Sequence, residues 1–111
     1  MGTPRFPIPQ GTLDMLILKV LSLEPAHGYG IAQRVQQISR ETVQLNQGSL
    51  YPALHRLEQK RRLKSEWRES ETGREAKFYS LTRAGQRQLA VEKETWDRLT
   101  AAVQLIFNEG E

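Results

Sequence analysis

The spacing of the apolar residues constrains the fold of this chain more than any other feature of its sequence. Three separate stretches carry apolar residues three or four positions apart, which is the pattern of a helix that buries one face. The three stripes are Leu13, Leu16, Ile17, Val20 and Leu21; Ile31, Val35 and Ile38; and Leu50, Leu54 and Leu57. The pattern therefore predicts three short amphipathic helices in the first half of the chain.

Local signals indicate where the first two helices begin. Thr12 is the expected N-cap of the first helix, because its hydroxyl can accept a hydrogen bond from an amide of the first turn. That assignment places the carboxylate of Asp14 in the positive first turn. Residues 28–30 (Gly-Tyr-Gly) indicate a turn before the second helix.

The start of the third helix has two possible caps. If Ser49 is the N-cap, Pro52 falls in the first turn, where a missing amide hydrogen has no intrahelical partner to lose. If Asn46 is the N-cap, Pro52 falls inside the helix, and we expect a bend there. The sequence leaves both possibilities open.

After the third helix the pattern becomes typical of strands. Residues 63–69 and 76–81 contain Trp67, Phe78 and Tyr79 and flank a polar loop, so they predict a hairpin. Thr82 is the expected cap of a final helix that reaches about Phe107. The expected fold is mainly α with a small β-hairpin (α+β): a winged helix-turn-helix followed by a long C-terminal helix. In such folds the third helix enters the major groove of DNA, and the hairpin reaches the neighbouring backbone.

Composition excludes several classes of function. The 111 residues suit one domain, and they include no cysteine and only two histidines, His27 and His55. Disulfides, thiolate nucleophiles and a three-histidine zinc site are therefore excluded. The sequence also has no Ser-His-acid spacing and no glycine-rich phosphate loop, so we expect no enzyme, no metal and no cofactor. With no membrane-span or signal-peptide pattern, we expect a cytoplasmic protein.

The positive charge of the chain is concentrated in its first half. Residues 1–62 hold eight basic and four acidic side chains, whereas residues 63–81 hold four of each. A basic surface attracts nucleic-acid phosphates. Alternatively, the same residues form an ordinary solvated surface, with cations that stabilise a helix C-terminus.

Four motifs resemble the PadR family of transcriptional regulators. They are residues 11–18 (Gly-Thr-Leu-Asp-Met-Leu-Ile-Leu), 27–31 (His-Gly-Tyr-Gly-Ile), 48–58 (Gly-Ser-Leu-Tyr-Pro-Ala-Leu-His-Arg-Leu-Glu) and 77–85 (Lys-Phe-Tyr-Ser-Leu-Thr-Arg-Ala-Gly). The chain looks like the short, single-domain branch and is close to the subset described in acidobacteria. The family usually has a glycine after the third helix, where this chain has Arg61 and Arg62.

The resemblance implies a homodimeric DNA-binding regulator, usually a repressor that a small ligand or another signal releases from a two-fold symmetric operator. We expect a flexible N-terminal arm at 1–10, a DNA-binding domain at 11–81, a dimerisation helix at 82–107 and a tail at 108–111. His27 is expected to be structural and to close the turn before the second helix.

The polar face of the third helix and the hairpin supply the expected DNA contacts. On a helix whose leucines face the core, the other side presents donors that suit phosphates and base edges. Tyr51 is the first choice for a backbone contact, although it could also be a half-buried ring, and His55 could simply be solvent-exposed. Trp67 and Phe78 are expected to pack the hairpin on the helices. The candidate contacts are Gln47, Ser49, Tyr51, Pro52, His55, Arg56, Arg74 and Lys77.

The last helix carries a narrow apolar seam. Its positions repeat every seven residues, broken only at Glu92, which is the spacing of a helix that pairs with a second copy. The alternative is packing against its own domain. Trp96 could also wall a pocket for a flat aromatic effector, as relatives do at this interface. The candidate interface residues are Leu89, Trp96, Leu99, Val103 and Ile106.

A second function is also compatible with the sequence. A winged helix can serve only for protein–protein contact, without binding DNA. Such a module should expose an apolar patch on the third helix, whereas this chain offers mainly polar residues there. Binding to duplex DNA that weakens steeply with salt separates the two hypotheses.

Overall fold

The order of elements in the computed structural model is that of a winged helix. The structure describes residues 8–110, so most of the expected arm at 1–10 and the last residue of the tail lie outside the described residues. The described elements are α1 (Gln10–Leu23), β1 (Ala26–His27), α2 (Gly28–Ile38), α3 (Gln47–Gln59), β2 (Leu63–Glu69), β3 (Glu75–Leu81) and α4 (Arg83–Asn108). The predicted fold class, with helices dominating a small sheet, is confirmed.

α1 lies at the centre of the core. Leu18 of this helix is fully buried, and it belongs to one apolar cluster to which α2, α3 and the sheet also contribute. The apolar stripes recognised in the sequence supply most of that cluster. The largest fully buried side chains are Ile17, Leu18, Ile31, Leu50, Leu54 and Leu57.

The starts of α1 and α2 differ from the sequence prediction. α1 begins at Gln10 after Pro9, without a side-chain cap, so Thr12 is inside the helix and is not its N-cap. Asp14 consequently lies beyond the first turn, where it is buried. α2 begins directly at Gly28, so the two glycines of the expected turn belong to its first turn. His27 is structural, as expected, and acts as the N-cap of this helix, because its Nδ1 accepts a hydrogen bond of 3.0 Å from the amide of Gly30.

The sheet contains one strand more than the expected hairpin. β2 and β3 pair antiparallel, with Leu63 opposite Leu81 at one end and Glu69 opposite Glu75 at the other. The additional strand, β1, has two residues and pairs with β3 at Tyr79 and Phe78, which gives the order β1-β3-β2. A two-residue strand is too short for any alternation of apolar residues, so the sequence carried no periodic signal for it.

α3 begins at the Asn46 cap and runs through Pro52. The Oδ1 of Asn46 accepts a hydrogen bond from the amide of Gly48. At the other end the amide of Arg62 donates to the carbonyl of Leu57, and that of Arg61 to Glu58, which is the pattern of a Schellman motif. Arg61 therefore takes the left-handed position, with a φ of 60°, at the place where the family usually has glycine.

The start of α4 rests on this same turn. The hydroxyl of Thr82 accepts a hydrogen bond from the amide of Gly85, so Thr82 is the N-cap of α4, as predicted. The same hydroxyl donates a hydrogen bond of 2.7 Å to the carbonyl of Arg61. A Cβ added to Gly85 would lie 2.1 Å from the carbonyl oxygen of Arg62. Only glycine allows the first turn of α4 to approach this closely.

Replacing Arg61 by glycine should stabilise the protein. An L side chain in the left-handed region costs about 1–2 kcal/mol, and glycine removes this strain. Glycine also makes the unfolded chain more flexible, which offsets part of the gain. We expect Arg61→Gly to raise the free energy of unfolding by about 0.5–1 kcal/mol, measured by urea denaturation followed by circular dichroism. The control is Arg62→Gly, because Arg62 has no positive φ. An equal effect of the two substitutions would contradict this account of the turn.

Candidate nucleic-acid interface

α3 presents one apolar and one polar side. Leu50, Ala53, Leu54 and Leu57 are buried, Arg56 and Glu58 are partly buried, and the other residues of the helix are exposed. The exposed side contains five of the candidate contacts together with Gly48 and Gln59: Gln47, Gly48, Ser49, Tyr51, Pro52, His55 and Gln59. None of these residues is a carboxylate, a lysine or an arginine. The structure therefore brings these candidates together on one continuous, hydrogen-bonding surface.

Tyr51 stands at the edge of this surface, against the start of α2. A Cβ added to Gly28 would lie 2.7 Å from Cε1 of the Tyr51 ring, so the ring rests on the glycine backbone. The side chain nevertheless remains 47% exposed. Gly28 thus provides space for an aromatic ring whose outer half is accessible. The sequence showed the glycine but not which side chain fills the space beside it.

Arg56 lies on the other flank of α3 and pairs with α1. Its Nη2 donates a hydrogen bond of 2.9 Å to Oδ1 of Asp14. Burial raises the pKa of the Asp14 carboxyl, and the nearby Arg56 guanidinium opposes that rise. The Nε of Arg56 is buried without a hydrogen-bond partner among the described residues. Arg56 therefore connects α3 to α1, a role that the sequence interpretation did not include.

Glu58 attaches the wing, defined here as β2, β3 and the loop between them, to the same helix. Its carboxylate accepts a hydrogen bond from the hydroxyl of Ser65 on β2 and lies 3.1 Å from Nζ of Lys77 on β3. The Ser65 hydrogen bond, with the Lys77 ammonium, lowers the pKa of Glu58 below its ordinary value. Glu58 in turn raises the pKa of Lys77. Of the two basic wing candidates, Lys77 is thus internally paired and Arg74 is exposed.

The two aromatic residues expected to pack the wing behave differently. Phe78 is half-buried and meets the ring of His27 edge to face, with 5.1 Å between the ring centroids. Trp67 is instead 66% exposed, so the prediction that it packs on the helices is wrong. Side chains alternate along a strand, so Trp67 lies on the same face of the hairpin as Ser65, which contacts α3. At Trp67 the hairpin has already passed the end of that contact.

α4 carries the apolar seam into solvent. Every residue from 93 to 108 is exposed, including Trp96, Leu99, Val103 and Ile106. Leu89, nearer the start of the helix, is partly buried against the core of its own protomer. The seam is thus divided: its first residue packs within the domain, and the others are uncovered in the single chain.

Trp96 also lines a groove between α1 and α4. The groove has a volume of about 540 Å³, and Met15, Leu16 and Leu89 contribute to its apolar wall. Lys19 and Lys93 line it as well. Among residues 8–110, no group of His, Asp or Glu side chains could hold a metal ion. Within the same range, no helix has the length and apolar character needed to cross a membrane.

Comparisons with known proteins agree with this geometry. The family model described as "Transcriptional regulator PadR-like family" matches residues 17–91. A solved structure from Streptococcus mutans UA159 is 26% identical, covers 94% of this chain and 93% of its own, and has a TM-score of 0.82. A PadR-like transcription factor from Bacteroides fragilis is 34% identical over 87% of this chain and 91% of its own, with a TM-score of 0.71. A PadR family transcription regulator from Clostridium difficile is 31% identical, and the match covers 86% of this chain and 98% of that protein's chain, with a TM-score of 0.74.

Removing the Arg56 side chain should destabilise the fold. The substitution Arg56→Ala leaves the buried carboxylate of Asp14 without its hydrogen-bond donor, which we expect to cost about 2–3 kcal/mol of unfolding free energy. The neighbouring His55→Ala is the control, since an exposed side chain should change stability by less than about 0.5 kcal/mol. Urea denaturation measures both variants, and equal losses would argue against a structural role of the Arg56–Asp14 pair.

The Glu58 contacts should make stability pH-dependent. The pKa of the Glu58 carboxyl is lower in the folded state than its ordinary value of 4.5. Its ionised form therefore stabilises the folded state fully at pH values above 4.5, and this contribution is lost as the pH falls through the folded-state pKa. We therefore expect Glu58→Gln to lower the free energy of unfolding at pH 7, and the difference from the parent to shrink as the pH falls below 4.5. The matched control is Glu66→Gln on the exposed part of β2. A difference that stays constant between neutral and acidic pH would contradict the assignment.

Proposed function

The chain belongs to the PadR-like family of transcriptional regulators, and from this premise we propose that it regulates transcription by binding double-stranded DNA through the exposed side of α3. The observation that carries the proposal is the division of α3 into a fully buried leucine side and an exposed hydrogen-bonding side. A helix of this kind, held on the surface by its apolar side, can enter the major groove with its polar side. Regulation in this family is a binding activity, and we assign no catalytic residue.

Individual contacts follow from position on the helix and the wing. Gln47 and Ser49, at the start of α3, can donate to phosphates or base edges. The hydroxyl of Tyr51 suits a phosphate at the flank of the groove, and Pro52 and His55 lie on the side that would face the bases. Arg74 supplies a cation from the wing loop. The DNA-binding unit of this proposal comprises residues 11–81.

Arg56 and Lys77 have a different place in the proposal. Their charged groups are engaged by Asp14 and Glu58, so a DNA contact from either residue would use only the hydrogen-bond donors that those carboxylates leave open. A guanidinium has five N–H donors, so the pairing of Arg56 with Asp14 does not exhaust its capacity. We propose that both residues support the interface primarily by fixing α3 and the wing.

We further propose that the protein is a homodimer joined through α4, with residues 82–107 as the dimerisation helix. The support is the exposed seam of Trp96, Leu99, Val103 and Ile106, which projects beyond the domain core. A terminal helix with an uncovered apolar seam is covered when a second copy pairs with it. Two copies of α3 about 34 Å apart would then read a two-fold symmetric operator.

Regulation by a small molecule is the last part of the proposal. Bound to its operator, the dimer would act as a repressor, and a flat aromatic effector in the groove beside Trp96 would release it. The apolar wall formed by Met15, Leu16 and Leu89 suits such a ligand. Titration with a planar aromatic compound tests this part: it should change tryptophan emission and weaken operator binding.

Substitutions on α3 and the wing should separate the types of contact. We expect Tyr51→Ala to weaken binding to a selected operator at least 10-fold, since it removes a backbone contact. Arg74→Ala should lower the dependence of log affinity on log salt by about one unit, because it removes one phosphate contact. Fluorescence anisotropy at several salt concentrations measures both effects.

The control for Arg74→Ala is Arg98→Ala, which removes an exposed arginine from α4. It should leave affinity and salt slope unchanged. If the parent protein fails to bind random duplex at 50 mM salt, the DNA-binding proposal is wrong, and a winged helix used for protein contact becomes the better interpretation. A selection of bound sequences from a random pool would also reveal any two-fold motif.

Trp96 should be an anchor of the dimer. A buried interface tryptophan typically contributes a few kcal/mol, so Trp96→Ala should convert the protein to monomer at micromolar concentration. Sedimentation velocity measures the change. The control is Glu94→Ala, two residues earlier and on the opposite side of α4, which should remain dimeric. A Trp96→Ala protein that sediments as the parent dimer would exclude this seam.

A further inference from the structure

A groove separates the wing from the starts of α2 and α3. It has a volume of about 460 Å³, and we call it the wing groove. Tyr29 and Tyr51 line it from the helices, and Trp67 and Lys77 from the wing. The wing loop approaches the start of α2 here, where Oε1 of Glu71 lies 3.7 Å from Nε2 of His27. The groove therefore lies between the two elements that the proposed function brings to DNA.

Trp67 is the largest apolar side chain on the wing side of this groove. It stands opposite Lys77 in the register of β2 and β3, so the two side chains share one face of the hairpin. Ser65, two residues earlier on the same face, reaches Glu58 of α3. Trp67 therefore points to the same side as α3 but lies beyond its packing contacts, and two thirds of its surface is exposed.

The three exposed aromatic residues of the groove carry matching chemistry. Trp67 is 66% exposed, Tyr29 62% and Tyr51 47%. Each has an apolar ring and one polar hydrogen, the indole N–H or the phenolic O–H, which can donate to an acceptor. Such residues suit a partner that alternates apolar and strongly accepting groups. Deoxyribose rings joined by phosphates have this alternation.

We propose that the wing groove holds the sugar–phosphate backbone of one DNA strand, with Trp67 and Tyr29 as direct contacts. This inference rests on the proposed function. When a helix occupies the major groove and a wing occupies the adjacent minor groove, the backbone between the two grooves passes between the two elements. In this protein the space between them is the wing groove.

The charges of the groove refine the proposal. Lys77 and Arg74 line it together with two carboxylates, Glu71 and Glu75. Glu75 is exposed and stands opposite Glu69 at the end of the hairpin. A phosphate strand in the groove is repelled by Glu75, so neutralising that residue should strengthen DNA binding. An uncharged aromatic ligand in the same groove would be indifferent to this charge.

The position of Trp67 can be followed directly, because the chain contains two tryptophans. The protein is produced with 5-fluorotryptophan, and Trp67→Phe assigns the two fluorine resonances. On addition of a selected operator duplex, or of random duplex at 50 mM salt, we expect the Trp67 resonance to shift in proportion to bound DNA. A resonance that stays in place while anisotropy reports binding would overturn the inference.

Affinity measurements test the same contacts independently. We expect Trp67→Ala to weaken duplex binding about 10-fold, Tyr29→Ala to weaken it several-fold, and neither to alter the salt slope, because both side chains are neutral. Glu75→Gln should tighten binding several-fold at 50 mM salt, whereas Glu66→Gln, on the opposite face of the hairpin, should not. Circular dichroism and urea midpoints verify that each variant is folded.

The outcomes distinguish the inference from the function on which it rests. If the parent binds duplex but Trp67→Ala, Tyr29→Ala and Glu75→Gln all bind as the parent does, the wing groove is not a strand site, and the assignment of α3 stands. If a planar aromatic compound shifts the Trp67 resonance and duplex does not, the groove is a small-molecule site and the inference is wrong. If the parent binds no duplex at 50 mM salt, both proposals fail.

Discussion

The structure depends on two polar attachments that hold α3 between α1 and the wing. On one flank Arg56 donates to the buried carboxylate of Asp14, and on the other flank Glu58 accepts from Ser65 and Lys77. Between the flanks, burial of the leucines determines which side of the helix faces the core, but leucine contacts are non-directional and tolerate small rotations. Hydrogen bonds between charged groups are directional. The two attachments therefore fix the orientation of α3 more finely than its leucines do.

These attachments also explain where positive charge is available. The sequence offered Arg56 and Lys77 as candidate phosphate contacts, yet both lie beside carboxylates of the same chain. The exposed side of α3 is left nearly uncharged. The proposed interface therefore depends mainly on hydroxyl, amide and aromatic groups, with Arg74 of the wing as an exposed cation. Such an interface depends on fit as well as on counterion release.

The sequence could predict what periodicity and local capping determine. The leucines of α3, the cap Thr82 and the two long strands follow from patterns within a few residues, and the structure has them there. Local capping was a weaker guide at α1, where the expected cap Thr12 lies inside the helix. The sequence could not predict contacts between distant residues: Asp14 and Arg56 are 42 positions apart. The exposure of Trp67 was missed for the same reason, since strand composition does not reveal where the helices covering a sheet end.

The junction between α3 and α4 relates the candidate interface to the rest of the molecule. The Schellman turn that ends α3 places the carbonyls of Arg61 and Arg62 where Thr82 donates to them and Gly85 packs against them. α4 cannot tilt relative to α3 without breaking these hydrogen bonds or separating the Gly85 contact. In a dimer joined through α4, the separation of the two copies of α3 would therefore be set at this turn. A ligand that changed the angle of α4 would change that separation, because the start of α4 contacts the turn at the end of α3 directly.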